Sequence, residues 1–172
     1  SNRTTGLVVS SYVDINSITE FNDHVEKFDG EIIGIGSGAG IHANTIKAIE
    51  EYDLDFEQIT SSGPAMVASL DKAVANDEWI VITGWKPHFM WANFDIKYLD
   101  DPKGIYPKDV CAIVSRSGFE EDMPEVAGFL KNFNLREEQL YSLMGAIDMN
   151  GEEEGAQQWY EANKDKVNAW FE

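Results

Sequence analysis

Between Glu31 and Thr83 one pattern recurs: a short run that reads as a strand, a loop marked by glycine or proline, then a stretch with helical spacing. The runs are Glu31 to Ile35, Phe56 to Thr60 and Trp79 to Thr83, and the last is apolar and β-branched throughout. A strand without polar alternation has to be covered on both faces, as in a parallel sheet under helices. Between the runs, Ile41 to Tyr52 puts Ile41, Ile46 and Ile49 on an inward face. Ala65 to Ala75 does the same with Met66, Leu70 and Val74. This β-α-β-α-β order with short loops predicts an α/β fold: a parallel sheet with helices on both sides.

The flanks extend the pattern. Leu7 to Tyr12 reads as a strand, and Ser17-Ile18-Thr19-Glu20 as a capping box opening a helix to about Val25. Gly84 reads as the residue that breaks the Trp79 to Thr83 strand, with Pro87 in the first turn of a following helix. After Pro107, Val110 to Ser115 reads as one more strand. Met123 to Phe133, Arg136 to Met149 and Glu152 onward read as helices, with Asn134 and Asn150 as caps. A division is placed near Ser115 to Phe119, giving a sheet-bearing lobe over residues 6–115 and a helical segment over 116–172.

Composition narrows the function classes. A hydrophobic share of 43% with 12% aromatics suits a folded core. A formal charge of −18 argues against nucleic acid, which needs a basic patch. No apolar run approaches the ~20 residues that span a bilayer, and the opening Ser1-Asn2-Arg3-Thr4-Thr5 lacks a signal-peptide pattern. The single Cys111 excludes an internal disulfide and reads as a small buried hydrophobe between Val110 and Ala112. His24, His42 and His88 lack metal-ligand spacing. Glu120-Glu121-Asp122 and Glu152-Glu153-Glu154 read as solvated helix starts, and Trp91, Trp159 and Trp170 as packing residues. Gly34-Ile35-Gly36-Ser37-Gly38-Ala39 fits a dinucleotide fingerprint, but Asp53 and Asp55 precede the next strand rather than closing it. No nucleophile with its base is visible, so the sequence predicts no enzyme, no cofactor and no metal.

Ligands of a parallel sheet bind outside the carboxyl ends of its strands. Three loops leave such ends here: Gly36 to Gly40, Ser61 to Pro64 and Gly84 to His88. The first two deliver helix N-termini, which favour an anion. The third delivers Trp85, whose π face favours a quaternary ammonium. Together they suit a zwitterion carrying a carboxylate and a methylated ammonium.

Gly84-Trp85-Lys86-Pro87-His88-Phe89 and Phe94-Asp95-Ile96-Lys97-Tyr98-Leu99-Asp100-Asp101-Pro102 resemble the substrate-binding proteins of glycine betaine/choline-type ABC transporters, which have a two-lobed periplasmic-binding-protein fold. Gly38-Ala39-Gly40-Ile41 and Gly6-Leu7-Val8-Val9-Ser10-Ser11-Tyr12-Val13 continue the resemblance, while Phe89 departs from the family's usual Trp. The resemblance implies that the amides of Gly40 and Ile41 hold a betaine carboxylate and that Trp85 forms one wall of an aromatic prism around the ammonium. His88 reads as a support of the Trp85 loop and stays among the candidate ligand contacts. The remaining walls come, in the family, from a second lobe whose motifs do not occur in this chain. The resemblance further implies an ABC permease as partner, the missing lobe of the same protein, and a place at the extracellular or periplasmic membrane face, lipid-anchored or fused to the permease. Apolar residues of the return segment (Phe129, Leu130, Leu140, Met144) would then lack their usual cover, which predicts self-association or helices folded back on themselves. A rival reading is a non-catalytic interaction or sensor domain of the same fold.

Overall fold

The structure, a computed structural model, describes residues 4–108 and 112–171. It divides into two compact units, Ser1–Asp109 and Val110–Glu172.

The first unit is built on a five-stranded sheet. Its strands are β1 (Thr5–Ser10), β2 (Glu31–Gly34), β3 (Glu57–Thr60), β4 (Val81–Trp85) and β5 (Ile96–Tyr98), in the spatial order β3-β2-β4-β1-β5. β2 runs parallel to β3 and to β4, as the alternating pattern predicts. β1 does not: it pairs antiparallel with both β4 and β5, so the sheet is mixed. The reason lies in burial. Leu7, Val8 and Val9 are fully buried, with neighbouring side chains entering opposite faces. A strand buried on both faces reads alike in either direction.

Gly84 corrects a second expectation. It does not break the strand but lies inside β4, paired with Gly6 of β1. A Cβ on Gly84 would meet Val8 Cγ2 at 2.4 Å, so glycine is needed there for close packing. β4 accordingly starts and ends two residues later than the apolar run, leaving Trp79 and Ile80 outside it. Pro87 does not open the next helix either, since that turn spans Met90–Asn93 (α3 below).

Helices cover both faces. On one side lie α1 (Gly40–Tyr52) and a 3-10 helix, Ile18–Phe28, against Leu7, Val9, Ile32 and Val81. The expected capping box is formed: Ser17 N–H donates to Glu20 Oε1 at 2.8 Å, and Ser17 Oγ caps the first turn. Phe21, wholly buried, packs on Phe28 and Phe56 at ring distances of 5.3 and 5.1 Å. On the other side, α2 (Gly63–Ala75) and α3 (Met90–Asn93) bring Met66, Leu70 and Met90 onto Val8 and Ile82. Each fully buried aliphatic side chain contributes about 1.5–3 kcal/mol. Along α1 the inward residues are Ile41, Thr45 and Ala48, while Ile46 points out at 41% exposure. Ile49 packs against the same core half-buried, so of the three isoleucines expected inward only Ile46 is displaced, and Thr45 takes its place at the centre of the stripe.

The second unit is helical: α4 (Phe119–Asp122), α5 (Pro124–Asn132), α6 (Glu137–Asn150), α7 (Glu152–Ala162) and α8 (Lys164–Asn168), closed by a 3-10 turn at Ala169–Phe171. Of the strand expected at Val110 to Ser115, residues 110 and 111, including Cys111, lie outside the described residues. The remainder, 112–115, has no regular structure, and Val114 is 89% exposed. An apolar run becomes a strand only where a ladder partner is offered. Asn134 and Asn150 are not the caps: α6 starts from Arg136, α5 ends on Phe133, and α6 ends on Gly151. Two contacts organise the unit. α7 crosses α6 at Gly155, where a Cβ would stand 2.3 Å from Ala146 O. Phe129 and Phe133 of the α5 end meet Phe171 and Trp170 at ring distances of 4.7 Å each. Trp159 and Trp170 are buried, as packing residues should be, and both acidic runs sit exposed in first helical turns.

Candidate functional site

Because β3, β2 and β4 are parallel neighbours, the loops that leave them open on one edge. The antiparallel β1 brings its N-terminal end to the same edge. There Lys86 N–H donates to Thr4 O at 2.7 Å, and Thr5 Oγ1 donates to Pro107 O at 3.2 Å.

The loop after β2 leads into α1 through Gly36, Ser37, Gly38 and Ala39. Ala39 N–H donates to Gly36 O and His42 N–H to Ala39 O, both at 3.0 Å. Ala39 takes the N-cap position without a side-chain oxygen, so no side chain caps this helix. The first N–H groups of a helix have no partner within it, and the macrodipole makes that end favour negative charge. Gly36, Gly38 and Gly40 have no atom within 4 Å of a would-be Cβ, and none has a positive φ. Nothing inside the lobe requires glycine at these three positions. Their effect is to leave the backbone open to close approach. Ile41 buries its side chain, so it faces the edge with its backbone only.

The loop after β3 is different. Ser62 Oγ accepts the Ala65 N–H at 3.2 Å and Ser61 Oγ donates to Gly34 O at 2.7 Å. Its helix start is thereby partly satisfied by the protein. Sequence alone treated the two helix starts as equals, and the structure leaves only that of α1 without a side-chain cap.

The loop after β4 holds Trp85, half-buried as the last residue of the strand. His88 stands edge-on to it at 4.7 Å and 80°, and Phe89 lies against His88 at 4.4 Å. His88 Nδ1 accepts the Met90 N–H at 3.2 Å. That bond needs the neutral ring with its proton on Nε2, and burial lowers the His88 pKa in the same direction. From behind, Trp91 donates its Nε1–H to Trp85 O at 2.8 Å, lies against Tyr98 at 4.5 Å, and carries Lys86 Nζ 4.6 Å from its ring centre. Trp91, read from sequence as packing alone, therefore also anchors the Trp85 backbone. Its aromatic neighbours in the sequence gave no hint of that bond.

All four candidate residues, Trp85, His88, Gly40 and Ile41, stand at this one edge of the sheet, on loops or at element ends. Two uncapped backbone donors and an aromatic face can meet opposite charges on one small molecule. Among the described residues no group of three or more His, Cys, Asp or Glu side chains could hold a metal ion. No described helix is long and apolar enough to cross a membrane.

Comparison with known proteins gives a family. The model for the substrate-binding domain of ABC-type glycine betaine transport systems matches residues 1–162. Glycine betaine/carnitine transport binding protein GbuC of Listeria monocytogenes is 40% identical over 151 residues, which cover 84% of this chain and 50% of that protein. The chain thus spans about half the length of this curated relative. Lactococcal OpuAC, in its closed-liganded conformation with glycine betaine, is similar at a TM-score of 0.85 and 33% identity over 98% of this chain and 67% of its own. The glycine betaine/L-proline-binding protein ProX of Borrelia burgdorferi is similar at 0.87 and 35%, over 97% of this chain and 65% of its own.

Proposed function

From the premise that this chain belongs to the substrate-binding domains of ABC-type glycine betaine transport systems, we propose that it forms half of a cleft for a quaternary-ammonium osmolyte. Glycine betaine, choline and carnitine are the candidate ligands. The observation that carries this reading is the pairing of an uncapped helix start at Gly40 and Ile41 with a half-buried Trp85 on one sheet edge. In this reading the two amides donate to the ligand carboxylate and the Trp85 face takes the trimethylammonium. His88 holds the Trp85 loop and borders the ligand.

Small-molecule sites bury ~70–90% of their ligand, and one lobe cannot enclose it. We place the missing aromatic walls on a second lobe, with residues 6–115 as the ligand-binding lobe of this chain and 116–172 as the return segment. The whole protein then acts without catalysis, delivering its ligand to an ABC permease at the extracellular or periplasmic membrane face, by lipid anchor or by fusion. Titrating the two-lobed protein calorimetrically with betaine, choline and carnitine tests the reading. Equal affinity for betaine and an isostere lacking the positive charge would overturn it.

The 172-residue chain alone should bind betaine barely, because desolvation supplies much of the cation–π strength. Val114, Met149 and Phe171 leave apolar surface open, which favours self-association of that isolated chain. Micromolar binding by a strictly monomeric chain, seen in calorimetry and light scattering, would refute the half-site argument.

A further inference from the structure

Behind the Gly40–Ile41 helix start lies a buried polar chain that no ligand contact accounts for. Thr45, fully buried in the second turn of α1, donates Oγ1–H to Ile41 O at 2.8 Å. Its oxygen lies 3.0 Å from the hydroxyl of Tyr106, also buried. Thr45 has one hydroxyl proton, and it is spent on Ile41, so Tyr106 must be the donor to Thr45. The order is therefore Tyr106 O–H to Thr45 Oγ1, and Thr45 O–H to the Ile41 carbonyl. Burial pushes the Tyr106 pKa up, which keeps its proton in place.

Tyr106 is held in turn. Its N–H donates to Asp101 Oδ2 at 2.9 Å, and Asp101, itself buried, accepts Tyr52 O–H on Oδ1 at 2.6 Å. Tyr52 OH also accepts the Lys103 N–H at 2.7 Å. Tyr52 is the last residue of α1, and Thr45 sits one turn from its start. The segment from Asp101 to Tyr106 thus grips α1 near both ends. Gripping a helix at two points fixes its position along its axis and its rotation about it. These are the two freedoms that decide where its first N–H groups aim.

We propose that Thr45 and Tyr106 are positioning residues for the anion-binding end of the site, setting the aim of the Gly40 and Ile41 amides through the Ile41 carbonyl. The inference rests on the proposed function for its ligand, but not for its geometry. A side chain that only packs would matter equally to every ligand. One that aims two amides should matter to a carboxylate and not to an ammonium.

The test uses Thr45→Val, Tyr106→Phe and Thr45→Ser in the two-lobed protein, with glycine betaine and tetramethylammonium as probes. Thr45→Val and Tyr106→Phe should each weaken glycine betaine by about 5- to 10-fold, the range of one net hydrogen bond, with tetramethylammonium changed less than about twofold. Thr45→Ser, which keeps the hydroxyl, should restore betaine binding. Equal losses for both probes, or none for either, would overturn the proposal. A second measurement needs no ligand: in amide NMR spectra of the 172-residue chain, both weakening variants should shift Gly40 and Ile41 more than Gly63 and Ala65 at the other helix start. If wild type ignores glycine betaine, the proposed function falls and the spectra alone judge the positioning. Unshifted Gly40 and Ile41 amides in both variants would then end it.

Discussion

The glycine loop before α1 and the tryptophan loop after β4 leave neighbouring strands at the same edge, yet they are built on opposite terms. Around Gly36, Gly38 and Gly40 the lobe places nothing a side chain would touch, and the helix start goes without a cap. Around Trp85 almost every group is braced: His88 in a T-shaped contact with its ring, Trp91 on its carbonyl, Thr4 on the next amide. A pole that binds through backbone amides needs an unobstructed approach. One that binds through the face of a ring needs that ring stopped from turning. The two loops divide the work accordingly, and their stiffness is supplied from different places: from α1 held by Tyr52 and the buried Tyr106 in one case, from half-buried aromatics in the other.

Glycine substitutions just before the tryptophan loop and just after the glycine loop should separate most widely. Gly84→Ala forces a Cβ onto Val8 in the middle of the sheet and should cost about 1–3 kcal/mol in denaturant unfolding. Gly40→Ala meets nothing, and its stability should stay within about 0.5 kcal/mol of wild type while betaine affinity falls. Equal destabilisation by both would erase the contrast. Trp85→Ala comes next, with a loss of about 1–2 kcal/mol of betaine binding from cation–π contact and packing, and the fold retained. A variant that unfolds while keeping its affinity per folded molecule would make Trp85 a core residue.

Trp91→Phe is a subtler probe of the brace. It can keep the aromatic contact with Tyr98 but deletes the donor to Trp85 O, for about 0.5–1.5 kcal/mol of stability. Ammonium affinity should weaken with it. The smallest effect should be pH. Burial lowers the His88 pKa, so the neutral ring is the folded form and its contribution is complete above ~6.5, the ordinary histidine value. As pH falls below that value and through the lowered folded one, protonation takes Nδ1 from the Met90 N–H and the contribution is lost. Unfolding curves of wild type and His88→Gln should converge on acidification, and parallel curves would remove His88 from the brace.

Much of this architecture is legible in the sequence, because it is written in local signals. Ser17 and Glu20 form their capping box, the three runs expected as strands form neighbouring parallel strands, and Gly40, Ile41 and Trp85 fall where strand ends place them. What escaped was long-range. The direction of β1 depends on partners far along the chain, and its doubly buried residues carry no mark of it. Gly84 reads as a stop by type, although its reason is Val8 on another strand. Ile46 outweighs Thr45 on any hydrophobicity pattern, yet Thr45 faces inward because Tyr106, sixty-one positions away, offers its hydroxyl there. Residues 112–115 have the composition of a strand without a described partner to pair with.

The antiparallel β1 also dictates an order of events during synthesis. It is made before the other four strands, yet Thr5 pairs with Trp85 and Val8 with Tyr98. Its place, between β4 and β5, is not complete until Tyr98 has emerged. Closing so long a loop is slow compared with forming local helices. In the meantime β2, β3 and β4 can assemble with the help of α1 and α2 and take up β1, but without β5 the apolar β1 remains an open edge, the kind that recruits strands from other chains. A nascent chain of this design should therefore be most prone to aggregate just before Ile96 to Tyr98 emerge from the ribosome. Stalling translation there should raise chaperone binding above that seen a few dozen residues later.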